Sequence, residues 1–236
     1  MSIKLPPRLK KITECAEEFH CLADIGTDHG YIPVKMVQDG RLECAIACDI
    51  NPMPLKKAQD LIQKNHLADQ IKTRLGSGLS VIAENEADLV IIAGMGGVLI
   101  SEILSASETV AKSADTLILQ PMNAQNFLRK YLENHGYKIV DEALAKEGKR
   151  VYEILIVQVG QMAINNPLEY ELGVAYEKRK DPLLIDLIDR KLELEMRIIN
   201  ETKDKKTPVA REQYEKSREY IEKLNEVERW LSNSIK

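Results

Sequence analysis

From position 21 to about position 159 the chain alternates short apolar runs with amphipathic stretches of helical spacing, and this alternation limits the fold more than any other feature. Runs of strand length lie at 21–25, 44–48, 71–75, 87–93, 116–120, 138–145 and 151–159, with helical segments between most of them, for example at 54–65, 98–104 and 124–135. Strands that alternate with helices form a parallel sheet, because each crossover returns the chain to the same end and covers a face of the sheet. The last two runs have no helix between them and are joined through Lys146-Glu147-Gly148-Lys149. That connection predicts an antiparallel hairpin at one edge, with one strand running against the rest. The fold class is α/β.

After Val159 the pattern changes. Asn165-Asn166-Pro167 breaks the chain, and Leu184, Leu187, Leu194 and Ile198 then recur at spacings of three, seven and four. Tyr220, Leu224, Val227 and Leu231 repeat at four, three and four beyond a polar break at 203–208. Two heptad-like helices with a short connection predict an antiparallel helical hairpin. The chain therefore divides into an α/β domain at 1–160 and a coiled-coil-like helical domain at 161–236. The helical domain is open to two readings, a packing or dimerisation element or an arm that positions a substrate.

Composition narrows the function classes. No apolar run approaches the roughly 18 residues that span a bilayer, and the basic start MSIKLPPRLKK lacks the apolar core of a secretion signal. A cytoplasmic protein is expected. Cys44 and Cys48 lie four apart on one strand face, and neither they nor Cys15 and Cys21 have zinc-site spacing, so all four read as buried small hydrophobes and no metal is expected. The net charge of −4 does not mark a nucleic-acid binder. Two basic clusters, Lys4, Arg8, Lys10 and Lys11 at the start and Lys178-Arg179-Lys180 later, are either solvated surface or parts of one phosphate-tracking face.

Chemistry concentrates at the ends of the predicted strands. In a doubly wound sheet, ligands sit beyond the carboxyl ends where strand order reverses. Asp24-Ile25-Gly26-Thr27-Asp28-His29-Gly30 occupies that place after the first strand. Asp49 ends the second strand, where a carboxylate can hold both hydroxyls of a ribose. Gly76-Ser77-Gly78 follows the third strand, and Gly94-Met95-Gly96-Gly97 the fourth. The first turn departs from Gly-x-Gly-x-x-Gly, and its two aspartates would repel a pyrophosphate. S-adenosylmethionine, which carries an ammonium and a sulfonium and no phosphate, suits Asp24 and Asp28 better. The terminal antiparallel hairpin also fits methyltransferase sheets better than dehydrogenase sheets.

Leu22 to Pro33, reading LADIGTDHGYIP, resembles the first motif of the bacterial tRNA (adenine-22 N1)-methyltransferases, the TrmK family. Asp49-Ile50-Asn51 with Pro54-Leu55 and Ala58 resembles the second, and Ala93 to Gly97, Leu117 to Pro121 and Tyr152-Glu153-Ile154 resemble later ones. The likeness extends over nearly the whole chain. It implies a Rossmann-like class I methyltransferase sheet, mostly parallel, with S-adenosylmethionine as cofactor and tRNA as partner. It implies methyl transfer to N1 of an adenosine in the D-arm. Under the resemblance Asp24, Gly26, Gly30, Asp49, Ile50, Ser77, Gly78, Gly94 and Met95 hold the cofactor, and Asp28, His29 and Asn123 serve the chemistry. Asp28 would stabilise the developing cation and Asn123 hold the base edge, while His29 is either a proton shuttle or a hydrogen-bond partner. Tyr31 would stack on the base or pack in its helix. Ser77 stands where the family has aspartate, and Met122 precedes Asn123 where the family has asparagine directly after Gln-Pro. A methyltransferase of another RNA or small molecule, and a non-catalytic nucleoside-binding module, remain the alternatives. A monomer is favoured, with oligomeric state open.

Overall fold

A computed structural model of the chain describes residues 3–179 and 181–234. The first part runs α1 (Pro7–Glu14), β1 (Cys21–Ile25), α2 (Tyr31–Gln38), β2 (Cys44–Asp49), α3 (Pro52–Lys64) and β3 (Ile71–Leu75). It continues with β4 (Leu89–Met95), α4 (Gly97–Ala106), α5 (Glu108–Ser113), β5 (Thr116–Pro121), α6 (Gln125–Asn134), β6 (Tyr137–Glu147) and β7 (Arg150–Val159). The strands form one sheet in the order β3-β2-β1-β4-β5-β7-β6. β1 to β5 are parallel, and β7 runs antiparallel to both β5 and β6. The expected hairpin is present, closed by a two-residue turn at Gly148-Lys149, and β7 is the one reversed strand.

The strands read as unbroken apolar runs because both faces are covered, so alternation along a strand only chooses which core a side chain enters. Ala23, Ile25, Val90, Ile92, Leu117 and Leu119 join one core with Ile100, Leu104 and Leu128 of α4 and α6. Leu22, Ala47, Leu89, Ile91, Ile118 and Ile154 join the other with Ile12, Ile32 and Ile62 of α1, α2 and α3. Chain order moves outward from β1 to β3, then returns to the opposite side of β1 with β4. The switch point that concentrates ligands in such sheets therefore lies between the ends of β1 and β4.

Two expectations change. Cys48 is buried as anticipated, but Cys21 and Cys44 are disulfide-bonded, and Cys15 is half-buried. The cause is register, since Cys21 and Cys44 face each other on adjacent strands with Cα atoms 4.7 Å apart.

The second concerns the boundary, which falls after Val174 instead of at 160. The segment beyond β7 carries α7 (Pro167–Leu172), capped by Asn166 Oδ1 accepting from Leu168 N–H at 3.0 Å, and it docks on α6. Leu172 is fully buried, Ile164 N–H donates to Glu133, and Asn126 donates to Glu171. The anchor is Arg129, which is 1% exposed. Its guanidinium donates to Glu142 Oε1 at 2.6 and 2.8 Å, to Glu153 Oε2 at 2.7 Å and to the Tyr170 carbonyl at 2.9 Å. Glu142 also accepts from Val174 N–H. One buried cation thus ties α6, β6, β7 and the segment that ends the unit.

The second unit starts at Ala175 and holds α8 (Tyr176–Arg179), α9 (Leu183–Thr202) and α10 (Pro208–Ser234). α9 and α10 pack together, and Ala210, Ser217, Leu224 and Leu231 are buried in steps of seven, a longer seam on α10 than the expected one. Leu194, expected in the seam, is 50% exposed, because the less exposed stripe of α9 passes through Lys191, Glu195 and Ile198 at helical period and leaves Leu194 at its rim. Among the described residues no helix is long and apolar enough to cross a membrane.

Arg129→Met should lower stability by about 3–5 kcal/mol, because Glu142 and Glu153 would stay buried without their cation. Urea unfolding measures the loss. The triple variant Arg129→Met, Glu142→Gln, Glu153→Gln should recover a large part of it.

Candidate functional site

The turn after β1 hangs from the end of β2. Gly26 and Thr27 both donate their N–H to the Cys48 carbonyl at 2.8 Å. Gly26 has φ +78°, and a Cβ there would fall 2.3 Å from the Met95 methyl, so the turn passes close to the end of β4. Gly30 has φ +69° and starts α2, with Ala58 of α3 against it. The result is a cavity of about 550 Å³ at the switch point. Asp24, Gly26, Asp28, His29, Gly30 and Gly94 line it, six of the residues expected at the site. Pro6, Arg8 and Leu9 from the start of α1 line it as well, together with Thr27, Tyr31, Ile32 and Ala93.

The cavity holds separated, unpaired charge. Asp24 is 5% exposed, and no cation forms an ion pair with it. Burial pushes its carboxyl up to about 6; the nearby Thr27 hydroxyl eases the shift and the Asp49 charge adds to it. Thr27 Oγ1 is itself buried and falls short of full hydrogen-bond geometry with any partner. Asp28, in contrast, is 77% exposed, with His29 Nε2 at 3.5 Å. The His29 and Tyr31 rings are stacked with centroids 5.2 Å apart. Arg8 supplies the cavity's cation. Nothing in the spacing of the sequence separated it from the other N-terminal cations; the signal was Gln120 and Tyr152, polar residues set in apolar strands, which hold it.

The remaining expected residues lie along the same sheet edge, outside the lining of this cavity. Asp49 ends β2, is 9% exposed, and accepts from Asn51 N–H through Oδ1 at 2.7 Å, while its carbonyl accepts from Gly76 N–H. Ile50 beside it is 64% exposed. Ser77 is exposed, and its carbonyl accepts from the Ser80 hydroxyl at the start of a tight turn that includes Gly78. Met95 caps the Gly26 turn. Asn123 is exposed beyond β5, where its carbonyl accepts from Gly97 N–H at 2.9 Å and its Oδ1 lies beside Gly96.

A larger cleft of about 620 Å³ lies between the N-terminal segment and α2. Its charges are already satisfied, with Lys35 and Arg41 on Asp39 and Lys10 on Glu14, so its size does not make it the site of chemistry. Among the described residues no three His, Cys, Asp or Glu side chains gather as a metal site.

Residues 5–155 match the family model described as a methyltransferase domain. The chain is 37% identical over 158 residues to the tRNA (adenine(22)-N(1))-methyltransferase of Bacillus subtilis (strain 168). That alignment takes in 67% of this chain and 66% of the relative, just under two thirds of its length. The crystal structure of the B. subtilis M1A22 tRNA methyltransferase TrmK superposes with a TM-score of 0.86 at 30% identity, over 95% of this chain and 99% of that one. M. capricolum TrmK in complex with S-adenosyl-homocysteine superposes with a TM-score of 0.79 at 26% identity, over 96% of this chain and 98% of that one.

Asp24 ties the site to stability. Its folded carboxyl titrates near 6 against an ordinary 3.8, so folding takes up a proton between those values and stability is lost as pH rises through that window. Above it the buried carboxylate costs roughly 2–3 kcal/mol. Asp24→Asn should therefore stabilise the ligand-free protein by about 2 kcal/mol at pH 7 and hardly at all at pH 4. Denaturant unfolding of both proteins at the two pH values measures this, and an equal effect at both would show that the carboxylate charge is not the cause.

Proposed function

The chain belongs to the bacterial tRNA (adenine-22 N1)-methyltransferase family, TrmK, and on that premise we propose that it transfers a methyl group from S-adenosylmethionine to N1 of adenosine 22 in tRNA. The observation that carries this reading is the cavity at the β1–β4 switch point, where a buried carboxylate and a guanidinium stand apart, neither with a counterion. That arrangement fits a ligand with an amino-acid end and disfavours a pyrophosphate. The residues present also fit the cofactor elsewhere. Gly26 and Gly94 leave backbone open to it, the orphaned Thr27 hydroxyl has a hydrogen bond to give, and Asp49 keeps Oδ2 for a ribose diol. Ile50 and Met95 offer apolar surface to an adenine, and Gly30, Ser77 and Gly78 shape the turns around it. Ser77 contributes a hydroxyl where the family has a carboxylate.

When bound, S-adenosylmethionine supplies an electrophilic methyl group on its sulfonium. The target nucleotide must leave its stack to reach the cavity. Adenine N1 already carries a lone pair, so the protein needs no strong base to make it a nucleophile. Asp28, exposed at the cavity mouth, is placed to accept from the exocyclic amine and stabilise the cation as it forms. His29 orients Asp28, Tyr31 offers a ring to stack on, and Asn123 meets the base edge. Most of the rate gain comes from aligning the reacting atoms once water is excluded. The reaction places the protein in the cytoplasm.

Mass spectrometry of nucleosides and fragments from tRNA incubated with enzyme and S-adenosylmethionine tests the reading. The expected product is 1-methyladenosine at position 22; a methyl group elsewhere would favour a different RNA substrate. Asp28→Asn should leave cofactor affinity nearly unchanged and slow single-turnover methylation by on the order of 10²-fold. Equal loss of both would move Asp28 into cofactor binding.

The helical unit is the proposed tRNA-positioning arm, supported by its mixed-charge surface and the exposed Lys178. Lys180 and the Arg179 side chain of that cluster lie outside the described residues. Truncation after Val174 keeps the docked segment and should leave a folded unit that binds S-adenosylmethionine. It should lose tRNA affinity, most visibly at low salt. A truncated monomer that binds tRNA like the full chain would leave the arm a packing element.

A further inference from the structure

Arg8 belongs by sequence to a run of N-terminal cations, but the structure sets it apart. It is the second residue of α1, and its guanidinium is fixed from two sides. Nη1 donates to Gln120 Oε1 at 2.7 Å, and the group lies over the Tyr152 ring, 5.5 Å from its centroid. Its backbone N–H donates to Glu147 Oε2 at 3.3 Å, at the far end of the β6–β7 hairpin. Gln120 is itself immobilised, since Oε1 also accepts from Gly94 N–H at 3.2 Å and Nε2 donates to the Pro121 carbonyl at 2.9 Å.

These groups meet for a topological reason. Leu22, Ile118 and Ile154 face the core that α1 covers, so Asp24, Gln120 and Tyr152, each two residues away on the same strand, share that face. α1 crosses it and carries Arg8 to the cavity that Asp24 also lines. Arg8 nevertheless has no carboxylate within ion-pair distance. An oriented guanidinium with free donors and no counterion calls for an oxyanion from outside the chain.

We propose that Arg8 receives the carboxylate of the cofactor's amino-acid end while Asp24, across the same cavity, takes the ammonium. A zwitterion presents both charges at once, which is what two fixed, opposite and separated charges select. An RNA phosphate offers only the negative charge, and Asp24 and Asp28 in the same lining would repel it. Tyr152 and Gln120 are positioning residues that hold the guanidinium plane, and Glu147 fixes the helix that carries it. This gives Tyr152 a purpose in a strand whose neighbours serve the core. It rests on the cofactor reading above.

The test is calorimetry on the full chain with two ligands, S-adenosylhomocysteine and 5′-methylthioadenosine, which lacks the amino-acid end. Arg8→Ala should weaken S-adenosylhomocysteine by about 10- to 100-fold and 5′-methylthioadenosine by less than about twofold. Arg8→Lys, which keeps the charge but loses the planar fork, should fall between, and Tyr152→Leu should show a smaller loss confined to the first ligand. Equal losses for both ligands would reduce Arg8 to a structural role and overturn the proposal. So would unchanged S-adenosylhomocysteine affinity with weakened tRNA binding, which would make Arg8 a phosphate contact. A wild-type chain that binds neither ligand would instead overturn the cofactor reading. If Arg8→Ala does not fold, the comparison between ligands is read from Arg8→Lys.

Discussion

Strands β1 to β5 are buried on both faces, and that burial decides where chemistry can be placed. A polar side chain inside such a strand has no water to meet, so polar groups are pushed to the carboxyl ends or must be satisfied within the fold. Asp24 is the exception that defines the site. It lies one residue before the end of β1, on the face that α1 covers, and it titrates high because burial denies it solvent. The adjoining turn leaves the strand through Gly26, the one residue type that can take its backbone angle and still pass Met95. The cavity follows from these two residues, and α1 closes it from above with Arg8.

The same constraint explains what was legible beforehand. Strand count, hairpin and strand-end glycines were visible because each has a local cause: apolar length, the missing crossover, a turn that needs positive φ. Asp24, Asp28 and Gly94 were found because strand ends face ligands in every sheet of this class. Arg8 was not, because its role depends on α1 crossing to a face shared by residues 112 and 144 positions away, Gln120 and Tyr152. The boundary at 160 missed for a similar reason. Residues 161–174 have a linker's composition, and only the buried Arg129, with acceptors on β6, β7 and α7, draws them into the first unit. In the helical unit, period alone placed Leu194 in the seam, while the drift of the stripe on α9 leaves it half exposed.

Two buried charge systems in the first unit contrast in a way that separates structure from function. Around Arg129 the cation has two carboxylates and a carbonyl, all at hydrogen-bonding distance, and it has no reason to open. Around the cavity, Asp24 and Arg8 are equally fixed but each lacks a counterion. A chain selected only for stability would pair such groups or replace them with apolar ones. Charges left unmet at a concave site are instead the mark of a place kept ready for a ligand.

The β6–β7 hairpin connects these systems. Its strands are eleven and ten residues long, against five to seven for the others, and the added length is not needed to complete the sheet. Near its turn, Glu147 holds the start of α1 and Tyr152 lies under Arg8; one residue further along β7, Glu153 turns to the other face and meets Arg129. Consecutive residues on a strand point to opposite faces, so Tyr152-Glu153 carries the cavity's cation on one side of the sheet and the fold's buried cation on the other. The hairpin is thereby the element through which the end of the first unit and its N-terminal helix are held by the same two strands. A shift of β7 by one residue would exchange the two faces and lose both cations at once, which is why this strand, alone in running against the rest, must keep its register.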